Sequence, residues 1–271
     1  MPQRDDVARR RAAMPPGTSG ILNARTLGAG HRRLAEMLRP GLSVLDVGCG
    51  TGAITRGIAE AVAPNGRVLG IDINTGLIEE ARGAHGGVAG LAFEVCDVYR
   101  LPCHEMFDIV TAARALQWLA APSDALRMMA NAARPGGRVL VLDYNHEKIA
   151  WTPDPPISMR MFYAAFLRWR ADAGMDNAIA DHLVEMLSSV GLSDVAATVQ
   201  HEGTRRGDPD FPGRVGIWAE VAASRGHQMV ADGVVTEGQR AQAEAEYREW
   251  IRDRAEAQTL YLVAVEGTRA G

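Results

Sequence analysis

The sequence predicts an α/β protein built on a mostly parallel sheet with helices on both faces. Three observations carry that expectation. The chain has 271 residues, 47% hydrophobic and 23% charged, an ordinary globular composition long enough to bury one large core. "VLDVGCGTG" (Val44 to Gly52) followed by "AITRGIAEAVA" reads as strand, glycine turn and helix, the opening of a nucleotide-binding βαβ unit. Short apolar runs then alternate with helical segments as far as Tyr144, which gives parallel strands joined by right-handed crossovers.

Each element follows from local chemistry. Residues 1 to about 30 are rich in Arg, Pro and Gly and read as a tail or cap, loose at first and ordered toward "SGILNARTLGAG". "RRR" (Arg9 to Arg11) follows Asp5 and Asp6 and reads as a solvated charge run. A short helix over His31 to Leu38 stops at Pro40-Gly41. Val44, Leu45 and Val47 form the first strand, and Ile54, Ile58 and Val62 share one face of the helix after it. Strands follow at Gly66 to Ile73, Leu91 to Cys96, Phe107 to Ala113 and Arg138 to Tyr144, with a helix capped by Asn74 or Thr75 and another starting near Ser123. Beyond Tyr144 a Pro-rich loop leads into an aromatic helix, an insertion at about 149–175. It is followed by a helix over Ala178 to Gly191, a strand over Ser193 to Gln200 and a second helical insertion at about 209–255. The last helix opens with a capping box, Thr236 with Gln239, and "TLYLVAVEG" is a final strand.

Composition excludes several classes. A net charge of -4 and the lack of a basic stripe argue against a nucleic-acid partner. Three cysteines without a C-x-x-C pair argue against a disulfide framework and suit a reducing cytoplasm. No metal-ligand spacing appears among the cysteines or the seven histidines, so no metal is expected. Neither a signal peptide nor a membrane span is expected, since no apolar run is long enough.

The nucleotide decides the function. Gly48-x-Gly50-x-x-Ala53, with Asp72 about twenty residues on, satisfies the dinucleotide pattern, so an NAD-dependent oxidoreductase is one reading. Three details oppose it: Asp46 lies inside the strand, the third glycine falls at Gly52, and the motif begins some forty residues into the chain. "VLDVGCGTG", "GIDI", "CDVYRLP", "FDIVTAARALQWL" and "RPGGRVLVLDY", five motifs in order, resemble those of class I S-adenosylmethionine (SAM)-dependent methyltransferases of the small-molecule, type 11-like kind.

That resemblance implies a Rossmann-like seven-stranded, mostly parallel sheet over residues 31–271. The SAM-binding core would be about 31–145, and "TLYLVAVEG" the antiparallel seventh strand beside the fifth. It implies SAM as cofactor and S-adenosylhomocysteine (SAH) as product. Gly48, Cys49, Gly50 and Gly52 would form the cofactor turn, Asp72 would bind the ribose hydroxyls, and Ile73 would pack on the adenine. Asp97 and the Val98 backbone would meet the adenine amino group, with Ala113 and Arg114 at the methionyl or substrate end. Asp46 either bonds the turn's own amides or meets the cofactor, Cys49 is a small packing residue, and Arg25 either reaches the cofactor carboxylate or lies at the surface.

For the acceptor the sequence is less explicit. Tyr144 and His146, after the fifth strand, are the best-placed polar pair, and His146 is the candidate general base if the acceptor needs one. Trp151, Phe162, Tyr163, Phe166 and Trp169 form either a helical lid over the acceptor or part of a core. "DPP" (Asp154 to Pro156) follows the fifth strand rather than the fourth and lacks the aromatic of amino-group nucleic-acid methylases, which leaves a small-molecule methyl acceptor. A non-catalytic SAM-binding protein is the remaining alternative.

Overall fold

The computed structural model describes residues 2–14, 20–23 and 25–271, so part of the expected N-terminal tail lies outside the described residues. Helices α1 (Pro2–Ala12), α2 (Gly20–Asn23), α3 (Leu27–Gly30) and α4 (Arg32–Met37) precede β1 (Ser43–Val47). The alternation then runs α5 (Ala53–Val62), β2 (Arg67–Asp72), α6 (Thr75–His85), β3 (Leu91–Val95), β4 (Phe107–Ala113), α7 (Pro122–Ala132) and β5 (Ala133–Thr152). After it come α8 (Ile157–Asp172), α9 (Ile179–Ser189), β6 (Leu192–Val199) and β7 (Glu202–Arg205). Four further helices, α10 (Phe211–Val215), α11 (Ile217–Ala223), α12 (Arg225–Ala231) and α13 (Glu237–Asp253), lead to β8 (Ala257–Arg269).

The strands form one eight-stranded sheet in the order β3-β2-β1-β4-β5-β8-β6, with β7 also paired to β8. β1 to β5 pair in parallel, and β8 runs antiparallel between β5 and β6, where the final strand was expected. The count is eight rather than seven because the edge beside β8 is broken in two. β6 pairs with residues 263–269 and β7 with residues 257–260. At the break, Gln200 N donates to Leu262 O, and the ring Nδ1 of His201 lies 3.0 Å from Leu262 O and 3.2 Å from Leu262 N.

Alternation along the strands builds a core on each face. Val44, Ile109, Leu140, Leu142 and Leu262 face α4 and α5, whereas Leu45, Val110, Val139, Val141 and Val265 face α7 and α9. A second core gathers α8, α10, α11 and α13 around Phe166, Trp169, Trp218, Tyr247 and Trp250. The loop expected after Tyr144 is instead a continuation of β5. Past an irregularity between Asn145 and Ala150, residues 150–152 pair with 257–259 of β8, because "AWT" and "AQT" are short strand-forming runs brought opposite each other. The capping box of α13 forms as the sequence predicts.

The arginines read as a solvated run do not face only water. Arg9 pairs with Asp97, and Arg10 and Arg11 pair with Asp232. Among the described residues no helix is long and apolar enough to cross a membrane, and no group of His, Cys, Asp or Glu stands together as a metal site.

Candidate active site at the carboxyl ends of the strands

β1 runs into the glycine turn, and two backbone bonds fasten that turn to the neighbouring strand: Gly48 N and Cys49 N both donate to Ile71 O, at 2.8 and 3.0 Å. Gly48 has φ +72°, and a Cβ there would lie 2.6 Å from the Cβ of Ala115, so this position accepts only glycine without a shift. Gly50 N donates to Asp72 Oδ2 at 3.1 Å, and Asn74 N to Asp72 Oδ1 at 2.9 Å. The carboxylate at the end of β2 is thereby oriented by two amides, and each oxygen keeps acceptor capacity for a further donor. Burial raises its pKa, against these amide bonds.

A cavity of about 420 Å³ opens over this turn. It is lined by nine of the ten residues the sequence assigns to the cofactor: Gly48, Cys49, Gly50, Asp72, Ile73, Asp97, Val98, Ala113 and Arg114. Gly52 is the tenth and does not line it. A Cβ on Gly52 would sit 2.6 Å from the Phe93 ring, so this glycine lets α5 start close against β3. Asp46 lines the cavity beneath the turn, and its Oδ2 accepts from the Thr55 hydroxyl at 2.7 Å. The reading in which Asp46 bonds the turn's own amides is corrected: its partner is a hydroxyl of α5, and the amides of Gly48, Cys49 and Gly50 are spent on Ile71 and Asp72. Burial pushes the Asp46 pKa up to about 7.

At the other end Asp97 Oδ1 accepts from Tyr99 N at 3.0 Å, and Oδ2 from Arg9 Nη2 at 2.8 Å. Between the two acids Ile73 is 53% exposed, an apolar side chain left uncovered in the wall of a cavity. Arg114 lies at the end of β4 with φ +58°. Its guanidinium donates to Tyr144 Oη and Gly30 O, both at 2.9 Å, and to Glu202.

The acceptor-side expectations fare differently. His146 is buried under α8 and α11, its Nε2 is 2.6 Å from Gln117 Oε1, and its ring stacks on Tyr144 with centroids 5.1 Å apart. Burial, with a smaller effect of Arg170, lowers its pKa well below the ordinary histidine value. Neither His146 nor Tyr144 lines the cavity. The insertion aromatics Phe162, Tyr163, Phe166 and Trp169 belong to the second core, with Trp151 packed against it, and they line no part of the cavity either. The wall over the turn comes from Ala8, Arg9, Ala12 and Met14 of the N-terminal segment expected as a tail or cap, from Trp118, which the sequence reads as structural or as a pocket wall, and from Arg225 at the start of α12, which the sequence did not single out. Arg25, left between cofactor and surface by the sequence, is half-buried in that lining.

The residues present fit SAM. Two carboxylates, Asp72 and Asp97, flank an uncovered isoleucine, as a ribose diol, an adenine amino group and an adenine face require.

Comparison with known proteins gives the same assignment. A family model described as a methyltransferase domain matches residues 38–183, more than half of the chain. The chain is 41% identical over 112 residues to the ubiquinone/menaquinone biosynthesis C-methyltransferase UbiE of Ectopseudomonas mendocina, a match spanning 40% of this chain and 44% of that protein. Against UbiE of Bordetella avium it is 29% identical over 216 residues, 72% of this chain and 81% of the relative. In fold it is similar to a phosphoethanolamine N-methyltransferase of Haemonchus contortus, solved with phosphomonomethylethanolamine and SAH. That likeness has a TM-score of 0.58 and 16% identity, and covers 99% of this chain and 60% of that one. From five ordered motifs, the sheet order and the family match, the chain belongs to the class I SAM-dependent methyltransferases.

Proposed function

We propose that this methyltransferase acts on a small-molecule acceptor and holds SAM in the cavity over the β1 turn. When bound, SAM supplies a methyl group on a positively charged sulfur, already activated for transfer. The chain's own contribution is binding, alignment and exclusion of water. Asp72 takes the ribose hydroxyls, Asp97 and the Val98 amide take the adenine edge, and Ile73 packs on the ring. The turn from Gly48 to Gly50, with Ala113 and Arg114, receives the methionyl end. The observation that carries this reading is that nine residues chosen from separate sequence motifs line one cavity.

The base role expected of His146 is not carried forward. Its ring lies outside the cavity, its Nε2 is held by Gln117, and burial disfavours the imidazolium, which makes it a weak proton acceptor. The names of the UbiE relatives support a carbon nucleophile as the first acceptor class to test. A net charge of -4 supports a small acceptor over a nucleic acid, and three free cysteines suit a reducing cytoplasm. The placement of α1 in the cavity wall supports reading residues 1–30 as a cap.

Calorimetric titration with SAH and with NADH tests the cofactor assignment: SAH should bind and NADH should not. NADH binding without SAH binding would overturn it. Incubating the protein and isotopically labelled SAM with a metabolite extract then reads the acceptor, and label appearing only in nucleic acid would reject the small-molecule class.

A further inference from the structure

Seven charged side chains line the cavity, and six are engaged within the protein. Asp46 accepts from Thr55, Asp72 from two backbone amides, and Asp97 pairs with Arg9. Arg114 is held by Tyr144, Gly30 and Glu202. Arg225 donates to the carbonyls of Arg11, Ala12 and Ala13 at the end of α1. The seventh is Arg25, whose guanidinium has neither a hydrogen bond nor an ion pair among the described residues.

Its surroundings make that unusual. Arg25 is half-buried and lies within electrostatic reach of Tyr144, Arg114, Glu202 and Asp143. Of the two acids, Glu202 is already taken by Arg114, and Asp143 accepts from Gln117 N and Tyr144 N with no exposed surface. A second guanidinium nearby adds repulsion. The cavity is thus polarised, with Asp72 and Asp97 on the β2 and β3 side and, near the ends of β4 and β5, a cation with no direct partner among the described residues. A partly desolvated guanidinium without a partner is costly, and a planar oxyanion is the group its fork of donors fits best.

We propose that Arg25 is the anion receptor of this cavity and holds a carboxylate. Resting on the SAM reading of the cavity, this has two possible sources, the methionyl end of the cofactor or an acid group on the acceptor, and one experiment separates them. Wild type, Arg25→Gln and Arg25→Lys are titrated calorimetrically with SAH and with 5′-methylthioadenosine, which keeps the nucleoside thioether but has no carboxylate. Sodium benzoate is then titrated into SAH-saturated protein.

If the cofactor is the source, Arg25→Gln weakens SAH tenfold or more, leaves 5′-methylthioadenosine unchanged, and Arg25→Lys recovers part of the loss. If the acceptor is the source, both nucleosides bind all three proteins alike, while benzoate binds loaded wild type and not loaded Arg25→Gln. The proposal is overturned if the nucleosides are unaffected and benzoate does not discriminate, or if both nucleosides weaken equally, as general loosening of the cavity would cause. Wild type that binds no SAH would instead reject the reading of the cavity itself.

Discussion

Asp46 sits at the end of β1 under the glycine turn with a single hydroxyl partner, Thr55. Unfolded, it would lose its proton near pH 3.8; folded, it keeps the proton to about pH 7 because burial disfavours the carboxylate. Between those values the folded chain binds more protons than the unfolded one, so stability falls as pH rises and levels off above about 7. Asp143, raised by burial to about 6, acts with the same sign. Asp72, also raised by burial, adds to them, and Asp46→Asn removes one of these contributions. Thermal melts from about pH 4 to pH 8 should show the gap between variant and wild type moving in the variant's favour by several degrees up to about pH 7 and then staying constant. A gap that is the same at every pH would reject the assignment.

At the neighbouring strand end, Asp72→Ala should weaken SAH binding by about 2 kcal/mol or more, since hydrogen bonds to a charged group are worth roughly 1.5–3 kcal/mol. Unchanged affinity by calorimetry would reject the ribose role. Asp72 was legible in the sequence as a cavity residue because it ends a strand and opens a turn, a purely local signature. His146 was not. Whether a polar residue after a strand meets solvent or a core depends on α8 and α11, which lie far along the chain. Arg25 was left between two readings for the complementary reason: only the cavity distinguishes it from any surface arginine.

Helix α1 shows the same limit one level up. Its charge run gives little amphipathic signal, and it docks through arginines spent on both sides of the cavity. Arg9 reaches Asp97, Arg11 lies over the Trp169 ring with its carbon 5.0 Å from the centroid, and Arg225 caps the last carbonyls while lying 4.0 Å over Trp118. A cation at a helix C-terminus satisfies acceptors that have no partner within the helix. Arg225→Gln should therefore accelerate amide exchange across α1 about tenfold or more while leaving β4 and β5 protected, on the order of 1–2 kcal/mol of local opening. SAH should also dissociate faster. Equal acceleration in α1 and in the strands would mean global destabilisation instead.

Strand β5 was misjudged for a related reason. Its regular part carries alternating apolar residues that any reading finds, whereas Ala150 to Thr152 become strand only because β8 is there to pair with them. The split of the edge into β6 and β7 likewise falls where the His201 ring meets the backbone of Leu262, which no periodicity announces.

At the scale of the whole molecule, the question is whether the sheet and the second core unfold as one. β5 and β8 run from the parallel sheet, past the irregularity between Asn145 and Ala150, into the helical layer, where Trp151 and Leu260 pack against the second core. Leu260 also packs against the core beneath α4 and α5, so one side chain is shared between the two. Shared strands of this kind couple the layers, because melting the helical layer strips β5 and β8 of the burial that holds their outer ends. All five tryptophans, Trp118, Trp151, Trp169, Trp218 and Trp250, lie in or against the second core, so their fluorescence reports mainly that layer, with Trp118 also at the cavity wall, whereas far-ultraviolet circular dichroism reports all the elements. A coupled molecule gives coincident urea transitions by the two probes. Trp250→Ala, which empties a position 2% exposed, should cost about 3–5 kcal/mol and move both transitions together. If fluorescence instead moved to lower urea while the dichroism midpoint of the sheet stayed in place, the helical layer would be a separate unit, and residues 31–271 would not fold as one domain.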